Sequence, residues 1–184
     1  MKKSIAIQKI IPIFLLVSLS WSCSSNLDFN QTSDLVLKPV IEANLTYFDI
    51  PAADFVTDGV ETIEADEMQN FDVFRDPFLR DNLKQVTFFF EITNTINRIY
   101  DVNFVLYDKE DNVVYRIKLN VLASDGTPQI VSRTVMFSED ELVLLKQTEK
   151  MEFEIKMMPG TPLTENSTGS LKLKSSATLY MDIK

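Results

Sequence analysis

The sequence predicts an all-β fold, an immunoglobulin-like antiparallel β-sandwich of about seven strands with one short helix. Three observations carry that expectation. Apolar residues recur at period two in seven separate runs. All four glycines fall between those runs. Strands and helices do not alternate in the way that builds parallel sheets.

Taken from the start, residues 1–22 read as a targeting segment. Lys2, Lys3 and Lys9 supply positive charge ahead of an apolar run from Ile10 to Leu19, broken by Pro12 and Ser18. Such a run suits a secretory signal, which needs roughly 7–15 apolar residues, and falls short of the ~20 that span a bilayer. Cys23 follows Ser20-Trp21-Ser22 and is the chain's single cysteine, so no internal disulfide can form. Its position after the apolar run resembles a bacterial lipobox, which makes Cys23 the expected lipidation site and the membrane anchor. Acyl chains contribute about 0.8 kcal/mol per buried CH₂, so several together hold durably. Residues 23–35, lipidated cysteine and polar stretch, read as a tether.

Residues 36–184 are expected to form one sandwich domain. Ile41, Ala43, Leu45 and Tyr47 share one parity, and Pro39 just before them marks an edge strand. Val86, Phe88, Phe90 and Ile92 form the next strong strand, with Phe89 on the other face. Val102, Phe104 and Leu106 follow, then the long alternation Val113, Tyr115, Ile117, Leu119 and Val121. Val131, Val135 and Phe137 share a parity with Arg133 as the polar exception. Met151 to Met157 and Ala177 to Ile183 complete the set. Asp58-Gly59 and Asp125-Gly126 are tight-turn pairs, because both residue types tolerate positive φ. Ser138-Glu139-Asp140-Glu141 has the pattern of a capping box, with Ser138 as cap, opening the one helix.

The stretch 51–83 lacks long alternation; a weak strand near 60–65 and a helical turn near 76–83 are expected. From Asp54 to Asp81 it holds nine acids against Arg75 and Arg80. Phe71, Phe74 and Phe78 recur within it, and an irregular segment of such length is often functional. These three rings are the candidate partner-docking residues, with packing of a sheet as the alternative. Phe89 is expected to lie beneath this segment.

Composition narrows the chemistry. The chain has no histidine, so Ser-His-Asp and Cys-His nucleophilic catalysis are excluded. Zinc sites lean on cysteine and histidine, so none is expected; paired carboxylates could do acid–base work, but no pair stands out, and no catalytic residue, metal site or cofactor is expected. Asp108 to Asn112 and the acids of 54–72 offer oxygen ligands without EF-hand spacing, and calcium binding there stays open. Removing residues 1–22 takes away three lysines and no acid, so the net charge moves from −9 to −12. That sign excludes nucleic acid as a partner. Trp21 is the only tryptophan and precedes Cys23, so a glycan would have to be met by Tyr47, Tyr100, Tyr107, Tyr115 or Tyr180.

Three stretches also carry a likeness to other proteins. Cys23 to Phe48 contains Asp28-Phe29, Leu37-Lys38-Pro39-Val40 and Leu45-Thr46-Tyr47-Phe48. Phe78-Leu79-Arg80-Asp81-Asn82-Leu83 is the second stretch. Phe88 to Asn94, continuing to Val102-Asn103-Phe104, is the third. Together they resemble small lipoproteins of unassigned function from Bacteroidota, particularly flavobacterial ones. The resemblance implies an outer-membrane lipoprotein, facing the periplasm or the exterior, and it supplies no active site. The expected role is non-enzymatic: binding a protein partner as an accessory subunit of an envelope complex. Capture of a glycan or other ligand for a transporter, or service as a subunit of a surface polymer, are the alternatives.

Overall fold

Nested hairpin pairing organises the whole domain. The computed structural model describes residues 36–184; the targeting segment 1–22, Cys23 and the tether to residue 35 lie outside the described residues. The strands are β1 (Val40–Pro51), β2 (Val56–Thr57), β3 (Val60–Glu61), β4 (Glu64–Asn70), β5 (Leu83–Asn94), β6 (Tyr100–Tyr107), β7 (Val113–Val121), β8 (Gln129–Ser138), β9 (Lys150–Met157) and β10 (Ser170–Met181). Two short helices, α1 (Pro77–Asn82) and α2 (Glu139–Leu145), and two 3-10 turns, Ala52–Phe55 and Asp72–Arg75, join them. The seven expected strands are all present, and the fold is the expected antiparallel sandwich.

Strand order refines the topology. β6 pairs with β7, β5 with β8, β4 with β9 and β1 with β10, all antiparallel, like one long hairpin. Pairing of β10 with β5 and of β6 with β9 rolls that hairpin into two sheets, β1-β10-β5-β8 and β4-β9-β6-β7. This is the eight-stranded jelly-roll arrangement of the sandwich class.

Period-two alternation puts one face of each central strand into the space between the sheets. Phe88, Phe90 and Ile92 of β5 meet Phe104 of β6, Phe137 of β8 and Phe153 of β9 there. Phe90 and Phe104 stack across the layers with ring centroids 4.1 Å apart, and Phe104 meets Phe153 edge-on at 5.0 Å. Phe89 lies on the outer face and stays 38% exposed. The 51–83 segment does not cover it; Phe71 of that segment packs instead on Phe88, at 6.3 Å on the inner face.

Several local expectations change. The register of β1 shifts between Asn44 and Tyr47, where Thr46 N–H donates to Ser175 Oγ (3.0 Å) and Ser175 Oγ donates back to Thr46 O (2.8 Å). This bulge flips the parity, so Tyr47 faces outward at 63% exposure while Phe48 and Ile50 turn inward. Segment 51–83 holds more regular structure than expected: the β2–β3 hairpin, β4, a 3-10 turn and α1. Asp58 and Gly59 both take positive φ (52° and 74°), as an Asp-Gly hairpin turn requires. Ser138 is the residue before α2 but makes no side-chain capping bond. It is still paired to Gln85 as the last residue of β8, and Glu139 turns the chain at φ 50°, which breaks the capping-box geometry.

Candidate functional site

The two long sides of the sandwich differ. On one side β7 and β8 approach, and Arg133 Nη1 donates to Lys118 O at 3.2 Å across the corner. This explains a cation on the core parity of β8: it sits at the sheet's edge, outside the aromatic interior. On the other side the edge strands β1 and β4 leave the interior accessible. A groove of about 430 Å³ opens there, with Val86, Phe88, Ala177 and Leu179 as its floor. Ile41 and Ala43 of β1 face into it and remain exposed although their parity is that of the core, Ile41 at 43%. Past the bulge, on the same open side, lies a second recess of about 310 Å³, between Phe48 and Ile50 of β1 and Ala65, Glu67 and Gln69 of β4.

The 71–83 segment closes the far wall. Phe71 N–H donates to Glu149 O (2.7 Å) and Arg75 Nη2 donates to Glu149 Oε2 (2.9 Å), fixing the 3-10 turn against the chain before β9. Asp76 then caps α1, its Oδ1 accepting from Phe78 N (2.8 Å) and Leu79 N (3.3 Å), with Pro77 in the first turn. The three sequence-nominated rings therefore part company. Phe74 is buried, only 4% exposed. Phe71 is half-buried and meets Phe74 edge-on at 5.5 Å, so these two rings line the groove. Phe78 stands 54% exposed on α1. Cys23, the fourth nominated residue, lies outside the described residues. The groove-lining positions that the sequence reading missed are Ile41 and Ala43 on one wall and Glu67 on the other.

Other candidate chemistry is absorbed by local structure. Asp108 Oδ1 accepts from Glu110 N (2.8 Å) and Asn112 N (2.9 Å), and Oδ2 accepts from Asn112 Nδ2 (3.0 Å). The bonds from Asn112 hold its carboxyl below the ordinary range. Its lone pairs thus stabilise the β6–β7 turn. Among the described residues no group of three or more acidic, histidine or cysteine side chains is arranged to hold a metal ion. Of the tyrosines, Tyr100 is buried and Tyr107 donates to Glu152 Oε2 at 2.5 Å. Tyr115 packs edge-on against Phe137 at 4.9 Å. Tyr47 and Tyr180 are exposed on the outer face of the first sheet, but their rungs on β10, Lys174 and Tyr180, are six residues apart. At ~3.4 Å per residue that is roughly 20 Å, too far for one sugar ring to meet both.

A further polar recess of about 400 Å³ lies beside Arg80, Lys109, Lys146 and Glu149. Its charges are largely answered: Arg75 pairs with Glu149, Lys109 with Glu110 at 3.5 Å, and Lys146 Nζ donates to Leu83 O at 3.1 Å. At the opposite end Arg98 is buried and donates to Glu61 Oε1 (2.7 Å), Met158 O (3.0 Å) and Thr161 O (2.8 Å). Glu61 Oε1 also accepts from Leu163 N at 2.6 Å, so this pair clamps the β2–β3 hairpin to the loop before β10.

No family model and no curated protein matches the chain. Among solved structures, a candidate secreted protein from Parabacteroides distasonis is similar at 11% identity and a TM-score of 0.41, over 63% of this chain and 38% of that one. A structure of infectious bursal disease virus, Gt strain, is similar at 14% identity and a TM-score of 0.39, over 80% of this chain and 32% of that one. Desmodium yellow mottle tymovirus gives 11% identity and a TM-score of 0.32, over 80% of this chain and 90% of that one. The chain thus spans about a third of the length of the first two. Likenesses of this extent assign neither kinship nor role. Among the described residues no helix is long and apolar enough to cross a membrane.

Proposed function

We infer that the protein is a non-enzymatic lipoprotein of the outer membrane, held by acyl chains on Cys23, whose sandwich binds a protein partner of the cell envelope. The likeness to small Bacteroidota lipoproteins supports the location. One structural observation supports the binding role: the apolar groove between the unpaired edges of β1 and β4. Ile41 and Ala43, of interior parity, stand open to water there, with Leu45 half-buried beside them and Phe71 and Phe74 as the facing wall. Grooves beside free strand edges suit extended protein segments, because main-chain bonds supply affinity and alternate side chains enter the groove.

The test is extraction of the native lipoprotein in mild detergent followed by pull-down from its own envelope, with wild type and Ala43→Arg compared. Ala43 is exposed, so the long cation fills the groove without entering the core. Val143→Arg, on the exposed face of α2, is the control. Loss of one partner with Ala43→Arg alone supports the reading. Equal recovery with all three proteins refutes it.

A further inference from the structure

The two halves of the groove differ in chemistry. Ahead of the bulge, Ile41, Ala43 and Leu45 face Phe71, Val73 and Phe74, and nothing charged lines that half. Past the bulge, Phe48 and Ile50 face β4, and β4 is unusual. Its pairing sets Ala65, Glu67 and Gln69 opposite Ile155, Phe153 and Met151 of β9. Those β9 side chains are buried between the sheets, so the same parity aims Glu67 and Gln69 inward at the mouth of the sandwich. An inward carboxylate on an edge strand keeps that edge from pairing indiscriminately.

The surrounding acids are already answered. Glu64 pairs with Lys156 at 2.6 Å, and Asp49 with Lys172 at 2.9 Å. Glu67 has no ion pair among the described residues and accepts only a long 3.4 Å bond from Gln69. Any segment that fills this half takes water from the Glu67 carboxylate, and a carboxylate so covered requires a cation or donors in return.

We propose that the groove selects an extended segment of a partner protein with segregated chemistry: alternating apolar residues at one end, to fill the Ile41–Ala43 half, and lysine or arginine at the other, to meet Glu67. This rests on the protein-binding reading above and names the partner's chemistry. The distance from Ile41 to Ile50 sets the length at about ten residues, at ~3.4 Å each.

The probes are two labelled ten-residue peptides with blocked ends. Both alternate valine and threonine over one half; over the other half the first alternates lysine and threonine, the second glutamate and threonine. Binding to the full acylated protein in detergent is read by fluorescence anisotropy at low salt. The lysine peptide should bind saturably and at least about ten-fold more tightly than the glutamate peptide. Replacing Glu67→Lys should invert that preference, and Glu67→Gln should shrink it. Glu67 is exposed on an edge strand, and far-UV dichroism of each variant checks that it is folded. No binding of the lysine peptide, equal binding of the two, or a preference unmoved by charge reversal would each overturn the proposal. If partner recovery is lost with Ala43→Arg while the two peptides remain indistinguishable, the assignment of the occupant fails and the protein-binding reading stands.

Discussion

Phe71, Phe74 and Phe78 look equivalent along the sequence, yet their surroundings predict a graded response to truncation. Phe74→Ala removes a ring that is almost fully buried and meets Phe71 edge-on. Burial of that kind makes Phe→Ala worth about 3–5 kcal/mol. The ring also borders the open groove, so water and neighbouring side chains occupy part of the space it leaves, and the low end, about 3 kcal/mol, is expected. Phe71 is half-buried and keeps ring contacts to Phe74 and Phe88. Half of the roughly 3 kcal/mol upper figure for burying a large apolar side chain, plus part of an edge-to-face contact, gives about 2 kcal/mol. Phe78 projects into solvent, and its removal should change stability by under about 0.5 kcal/mol. Urea unfolding followed by far-UV dichroism measures all three on one scale through the shift in midpoint at constant slope. Equal losses for Phe74→Ala and Phe78→Ala, or a loss below about 1 kcal/mol for Phe74→Ala, would refute the placement of this segment.

Three other outcomes follow from single sites. Gly169 has φ 99°, and a Cβ there would lie 2.5 Å from Thr95 O, so Gly169→Ala should cost at least ~1–3 kcal/mol and lower the thermal midpoint; an unchanged midpoint would contradict the β5–β10 junction described. Tyr107 is pushed up to about 12 by its hydrogen bond to Glu152, with burial adding to the shift. The folded chain keeps that proton while the unfolded chain releases it near 10, so stability should fall as pH rises from about 10 to about 12; Tyr107→Phe should flatten the fall in alkaline unfolding curves, and an identical pH profile would count against the bond. Intact mass of the mature protein should show acyl chains on Cys23, and Cys23→Ser should leave it unlipidated; a wild-type mature form free of lipid would sink the anchoring reading.

Legibility in the sequence followed exposure to the core. β5, β7, β9 and β10 each bury one face against aromatic neighbours, so their alternation is visible residue by residue. The weak strand expected near 60–65 divides into β3 and the first residues of β4; the rest of β4 is not legible because all seven of its residues are exposed, and its inward positions carry Glu67 and Gln69 beside an open groove. Nothing there forces an apolar residue. The bulge in β1 was equally silent, since it depends on Ser175 lying more than a hundred residues away. Phe71, Phe74 and Phe78 recur as one set along the sequence, but Asp76 is extended (φ −69°, ψ 116°) ahead of Pro77 and splits the stretch into two turns that aim their rings differently. The groove itself could not be read, because it exists only where two edges fail to meet.

Nested pairing also sets the order in which this chain can assemble. Ile41 must find Leu179, 138 positions later, and the strand carrying Leu179 lies between β1 and β5. Until that strand is made, β1 has no partner in its sheet. At ~5–20 residues per second, synthesis alone leaves β1 waiting roughly 7–28 s, and pairings of such sequence separation close slowly afterwards. For all that time Ile41, Leu45, Phe48 and Ile50 are an unpaired, aggregation-prone strand. The sequence places its charge excess beside them: 13 acids against 3 bases over residues 23–83, compared with 14 against 12 over residues 84–184. Like charges crowded around the waiting strand repel other copies of the same chain, so the acidic first third keeps the unfolded protein soluble until its last long strand arrives.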